Sequence, residues 1–349
     1  MFSSSILPLI YVLILQLISS ETTYSTEQIA PAPTPPLDRV LEPLPPQVPT
    51  KCPNPVPLVT TNPREKRQPT KVPTSYRGCP TAPAPTNALQ VACRFIRMTD
   101  LKSCQSILTV NICYSDVSPQ NFQTIPHEIG FLTQLTQLSL VLCYNGTIPS
   151  SIACLTNLNS LSFSSNKGGL TGTIPSALAR LTNLNYLQIF ENKLNGTIPS
   201  SFSHLTRLTS LNIAGQPLSG KIPSLPTLTD LKYLNIQNIK LGGSIPSFLS
   251  KLTNLVGLDL SDNQLIGTIP TFIAKMKNLA FLYFQNNQLT GSIPSFLWNM
   301  TTLGRVMMNS NKLIGTIPNS ACRRSIWNVD CAKVKCSCCR DYFTGNLCK

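Results

Sequence analysis

The dipeptide Ile-Pro recurs nine times, at positions 125, 148, 174, 198, 222, 245, 269, 293 and 317, with intervals of 23, 26, 24, 24, 23, 24, 24 and 24 residues. A fixed period of roughly 20–50 residues marks a repeat architecture, whose units are too small to bury an apolar face alone and so stack on one another. The copy from Leu252 to Pro270 reads LTNLVGLDLSDNQLIGTIP. Its Leu258-Asp259-Leu260 alternation predicts a short strand with both leucines turned inward. Leu252, Leu255 and Leu265 turn inward from the flanking arcs. At roughly 1.5–3 kcal/mol per buried leucine, stacking such coils is strongly driven.

Other positions of the unit have backbone duties. Asn166, Asn192, Asn263, Asn287 and Asn311 share one place, where an amide can satisfy backbone groups that stacking would bury unpaired. Cys143, Gln216 and Ile239 replace Asn in three coils, so the ladder is expected to break there. Gly before x-Ile-Pro tolerates dihedrals that a Cβ resists, and Pro keeps that arc from becoming a regular helix. The unit LxxLxxLxLxxNxLxGxIPxx resembles the plant-type leucine-rich repeat, as found in polygalacturonase-inhibiting proteins and receptor-like ectodomains. The resemblance implies an α/β repeat fold: a curved right-handed solenoid with a parallel concave sheet, about eight 24-residue repeats over 132–320 and Cys-rich caps.

The flanks differ in kind. Residues 1–20 carry an apolar run, Ile6 to Ile18, of signal-peptide length and too short to span a bilayer. Seventeen of the 30 prolines fall in the 56 residues from Pro31 to Thr86, so 21–86 reads as a disordered, extended stalk. Arg64-Glu65-Lys66-Arg67 within it has the form that furin-like convertases cut. Cleavage there would remove Cys52 and leave twelve cysteines, an even number. Residues 87–131 read as an N-terminal cap with a short helix, a first strand (LTVNIC) and Cys93, Cys104 and Cys113. Residues 321–349 form a second cap holding Cys322, Cys331, Cys336, Cys338, Cys339 and Cys348, which resembles the Cys-rich ends of repeat proteins from some algae and microbial eukaryotes. With Cys79, Cys143 and Cys154 these are disulfide candidates in an oxidising compartment; no His lies in the last block, and no metal or cofactor is expected.

Function then has to reside on surfaces. Outward strand positions form columns that gather Tyr186, Gln188, Phe190, Glu191, Tyr233, Asn235, Asp259, Asp262, Phe281, Tyr283 and Arg305 on the concave face. Aromatics with a polar rim are what interaction hot spots use. The net charge of +14 divides as +2 over 21–86, 0 over 87–131, +8 over 132–320 and +4 over 321–349. Lys193, Lys240 and Lys312 make a partly basic edge that could attract an anionic polysaccharide, while nucleic acid has no motif to receive it. Sequons at Asn145, Asn195 and Asn299 fit a glycosylated exterior.

Asp259 and Asp262 stand about 10 Å apart on one strand, with no sign of a closed pocket, and the sequence holds no Ser-His-Asp spacing or phosphate loop. The chain is therefore expected not to be an enzyme. The expectation is a secreted, extracellular binding protein, possibly cell-wall associated, that takes an extracellular protein or cell-wall polysaccharide on its concave sheet. The resemblance implies inhibition of a microbial pectinase, through positions around Gln188, Phe190, Asn235, Asp259 and Tyr283. A wall or matrix adhesion protein is the alternative. Ice binding by the ladder Thr147, Thr173, Thr197, Thr268 and Thr316, which Lys221, Ser244 and Ser292 interrupt, is a minor one.

Overall fold

The Ile-Pro step sets the shape of each coil. Pro126, Pro149, Pro175, Pro199, Pro246, Pro270 and Pro294 are extended, and each opens a five-residue 3-10 turn. The residue three beyond each proline donates its N–H to the proline carbonyl, as Ile152 does to Pro149 at 3.1 Å. The coil after Ile222 has no such turn, because the residue three beyond Pro223 is Pro226, which has no N–H to give.

The computed structural model describes residues 86–96, 104, 106–113, 123–141, 144–165, 169–322, 326–336 and 339–341. The apolar leader, most of the Pro-rich segment with Arg64–Arg67, and Asn166, Cys79, Cys143, Cys338 and Cys348 lie outside them. Among the described residues no helix is long and apolar enough to cross a membrane.

The expected inner sheet is present and entirely parallel, with eleven strands in chain order from Thr109–Cys113 to Arg340–Asp341. The inward leucines behave as their alternation predicts: Leu187, Leu252, Leu255, Leu265 and Leu282 are fully buried in one continuous core. A second parallel sheet, which the sequence reading does not anticipate, joins Gly242–Ser244, Gln264–Gly267, Gln288–Ser292, Lys312–Thr316 and Val334–Lys335 along the other side of the coils.

The Asn ladder works as expected where Asn is present. Asn263 accepts from the N–H of Leu241 (3.0 Å) and donates to the carbonyls of Ile236 (2.8 Å) and Leu260 (3.1 Å). The expected break at Gln216 needs correction. Its Nε2 donates to the Ile189 carbonyl at 2.9 Å, so the longer amide still reaches the neighbouring coil. Ile239 does interrupt the ladder as a fully buried apolar residue.

The caps are built into the stack. At the N-terminal end the helix Thr86–Phe95 buries Leu89, Ala92, Cys93 and Phe95, and a Cys93–Cys104 disulfide ties it down. The C-terminal Cys-rich block is more than a lid: Ile326–Val329 and Arg340–Asp341 continue the inner sheet, and Val334–Lys335 continues the outer one. Trp327 is buried against Trp298, with ring centroids 5.6 Å apart. A Cys336–Cys339 disulfide follows, and Cys154 and Cys331 are half-cystines as well. These pairings support the disulfide reading of the cysteines.

Candidate recognition surface on the inner sheet

Because the inner strands are parallel and in straight register, outward side chains line up across them. One row runs Tyr186, Ser210, Tyr233, Gly257, Phe281, Arg305. The next runs Gln188, Asn212, Asn235, Asp259, Tyr283, Met307. With strands about 4.8 Å apart, side chains in a row touch sideways and cover one another.

That lateral packing divides the expected site into two kinds of residue. Tyr186, Tyr233 and Phe281 are half-buried and Arg305 is exposed, so these reach solvent. Phe190 (4% exposed) and Tyr283 (6%) do not, which corrects the expectation that all five aromatics stand out from the sheet. Gln188, Asn235 and Asp259 are buried with them. Among the large side chains the division follows the row, those of the inner rows being covered by neighbours, while in the first row the small Ser210 is buried between two rings.

The buried polar groups are only partly satisfied. Asp259 accepts from the N–H (3.0 Å) and hydroxyl (2.6 Å) of Ser261. The Tyr186 hydroxyl donates to Oε1 of Gln188. Among the described residues, Nε2 of Gln188, Oγ of Ser210 and Oδ1 of Asn212 have no hydrogen-bond partner although all three side chains are buried. Such groups normally find one, so this floor has hydrogen-bonding capacity to spare.

Electrostatics sharpen the C-terminal half. Burial pushes the Tyr283 phenol above its ordinary range; the adjacent Arg305 guanidinium, which hydrogen-bonds it, pulls the other way, and the Asp259 carboxylate adds to the rise. Burial also raises Tyr233, whose ring rests where a side chain on Gly257 would stand, 3.1 Å from the place its Cβ would occupy. Phe281 and Tyr283 lie with centroids 6.4 Å apart.

Glu191 and Asp262, taken from the sequence as rim acids, share a backbone feature that the sequence reading missed. Both adopt positive φ (53° and 56°), as do Asn238, Asn286 and Ser310 in equivalent places, with Gly215 completing the column. Asn, Asp and Gly tolerate this region best, so their presence here is first a requirement of the turn. Asp262 accepts from Nδ2 of Asn286 at 2.6 Å. Burial raises the Glu191 carboxyl above the usual range.

The hydroxyl ladder follows the Gly-x-Ile-Pro arcs, and of its members Ser244, Ser292 and Thr316 lie in strands of the outer sheet. Thr147, Thr173, Thr197, Thr268 and Thr316 are exposed, as are Lys221, Ser244 and Ser292 between them. Of the sequons, Asn195 and Asn299 are exposed and Asn145 is half-buried. No group of His, Cys, Asp and Glu among the described residues could hold a metal ion.

The leucine-rich repeat family model matches residues 183–205, 254–276 and 278–300, three coils of this stack. The described coils form a leucine-rich repeat solenoid. Its repeat solenoid is similar to the ectodomain of the Arabidopsis receptor kinase HAESA, solved with an N-terminally extended IDA peptide hormone: 35% identity, 59% of this chain, 37% of that one, TM-score 0.55. It is also similar to the ectodomain of the Arabidopsis thaliana receptor kinase GASSHO1/SCHENGEN3, solved with CASPARIAN STRIP INTEGRITY FACTOR 2: 27% identity, 62% and 26% coverage, TM-score 0.56. A plant ice-binding protein shares the fold at 23% identity, with 64% of this chain and 72% of that chain covered and a TM-score of 0.51. The leucine-rich repeat chain thus spans about a quarter to somewhat over a third of the two receptor ectodomains. No curated protein matches the sequence.

Proposed function

We propose that this leucine-rich repeat protein is an extracellular, non-catalytic recognition protein whose inner sheet binds a protein or peptide partner. The carrying observation is the row Tyr186–Tyr233–Phe281–Arg305, half-exposed over a floor of buried amides with unused hydrogen-bonding capacity. Aromatic and Arg side chains at the centre of a polar surface are the usual anchors of a protein interface. Disulfides in both caps support an oxidising compartment. The similar HAESA and GASSHO1/SCHENGEN3 ectodomains were solved with a peptide hormone and with CASPARIAN STRIP INTEGRITY FACTOR 2, and that also supports the reading.

The most specific form of this reading is inhibition of a microbial pectinase. It is tested by titrating the protein against purified endopolygalacturonases, alongside a Tyr233→Ala, Phe281→Ala, Tyr283→Ala variant. Inhibition that the variant loses supports the inhibitor reading and its surface. A folded protein that inhibits none of the enzymes removes the inhibitor reading.

Ice binding has one observation in its favour, the exposed outer ladder of Thr hydroxyls. Lys221 breaks its regularity, and the threonine methyls are already engaged in packing. Thermal hysteresis measured on the protein would decide it, and its absence is the expected result.

A further inference from the structure

The outer row of the inner sheet has a regularity that a general hot spot does not require. Tyr186, Tyr233 and Phe281 occupy every second strand, and the strands between them carry Ser210 and Gly257. Two strand spacings amount to about 9.6 Å. A polyproline II helix has three residues per turn at about 3.1 Å each, so its pitch is about 9.3 Å. A proline-rich segment lying across the strands would therefore bring every third residue to the next ring-bearing strand with almost no drift over the three.

The small residues matter as much as the rings. Gly257 leaves room for the Tyr233 ring to rest on the backbone of the next strand, which lays that ring along the row. Ser210, between Tyr186 and Tyr233, is 2% exposed, and its hydroxyl has no partner among the described residues. Beside it Nε2 of Gln188 is an unused donor. One strand beyond Phe281 the row carries Arg305, exposed and positively charged, before it passes to Ile326. Among the described residues Arg305 is the only charged member of the row.

Resting on the concave-face reading above, we propose that Tyr186, Tyr233 and Phe281 form a docking track for a polyproline II segment of a partner polypeptide, with prolines at every third residue and an acidic residue against Arg305. The rings supply the flat apolar contact that prolines use, at low entropic cost because the segment is preformed. Arg305 fixes direction, since only one end of the segment carries the acid.

The probe is a fluorescein-labelled synthetic peptide with the sequence of Glu42–Pro49, EPLPPQVP, whose prolines 43, 46 and 49 follow an acid at the required spacing. Titrated with the full chain, it should show saturable binding that unlabelled peptide displaces. A peptide of the same composition in which no three prolines stand at successive third positions should bind at least about tenfold more weakly, since its contacts fall out of step with the rings. Tyr233→Leu and Phe281→Leu, which keep apolar volume, should weaken binding by a similar factor while leaving the unfolding transition in place. Arg305→Glu should reverse the preference towards a peptide whose leading Glu is replaced by Lys. Equal binding of both proline spacings, or no saturable binding, overturns the track. If pectinase inhibition still depends on Tyr233, Phe281 and Tyr283 while the peptide is ignored, the track falls and the wider concave-face reading stands.

Discussion

The methyl group of Thr268 lies 3.0 Å from the point where a Cβ on Gly291 would sit, one coil further along the stack. The same relation holds between Thr147 and Gly172 and between Thr173 and Gly196, at 3.0 and 3.1 Å. Each of these glycines also has a positive φ, 83° at Gly291. The Gly-Thr pair in Gly-Thr-Ile-Pro is thus one packing device: a glycine opens a recess and the preceding coil's threonine fills it. This relation gives the repeated threonines a reason that has nothing to do with a ligand.

It also makes a quantitative expectation. Gly291→Ala should destabilise the protein by about 2 kcal/mol, from backbone strain at positive φ plus overpacking against the Thr268 methyl. Thr268→Ser removes that methyl. In the double variant only the overpacking share should return, so a double-mutant cycle on urea denaturation midpoints separates the two contributions. Full recovery in the double variant would show that φ contributes nothing.

Much of this stack was legible in the residues, because its determinants are local and repeated nine times. Ile-Pro spacing gives the coil, Leu258-Asp259-Leu260 the strand, and Asn263 the ladder. What stayed hidden depends on the neighbouring coil. Nothing in its own strand says that Phe190 is buried; its neighbours in the row, Ser164 and Ala214, come from other coils. The extension of both sheets into the Cys-rich block was masked by its cysteines. In hindsight the alternation of Trp327 and Val329, two inward residues about one repeat after Val306 and Met308, was the available signal.

The Asn ladder predicts where the stack is most sensitive. Asn263 serves two N–H groups, those of Ile239 and Leu241, and three carbonyls, those of Ile236, Leu260 and Ser261, with hydrogen bonds of 2.8–3.3 Å. Orphaned buried polar groups cost about 1–3 kcal/mol each, so Asn263→Leu should cost several kcal/mol although it adds apolar surface. Gln216→Leu removes one side-chain hydrogen bond, to the Ile189 carbonyl, and should cost clearly less. Comparing the two in urea denaturation tests the ladder. Equal losses would mean that the amides contribute little beyond side-chain volume.

One carboxylate ties the last Ile-Pro coil to the Cys-rich block that follows it. Asp330 accepts from the N–H groups of Ser310 (2.7 Å) and Asn311 (3.2 Å), while Lys333 reaches the Asn311 carbonyl (2.9 Å). These are the backbone groups that a further coil would otherwise satisfy. Asp330→Ala should therefore open this end first, and hydrogen exchange should accelerate at Ser310 and Asn311 before it does at Leu187 or Leu211 in the middle of the stack. Uniform acceleration throughout would show that the stack opens as a whole.

Glu191 gives a prediction whose sign can be worked out. Burial raises its carboxyl from 4.5. An acid whose pKa is higher folded than unfolded favours folding in its protonated form. Its contribution is fully present below the unfolded value and is lost as pH rises through the folded one. At neutral pH the ionised Glu191 therefore opposes folding. Glu191→Gln removes that opposition and keeps the positive-φ backbone, so the variant should be more stable than the parent at neutral pH. The advantage should vanish below 4.5, where the parent is protonated as well. Urea midpoints of both proteins across this range measure it, and a difference independent of pH would mean that shape at this turn, rather than charge, distinguishes Glu from Gln.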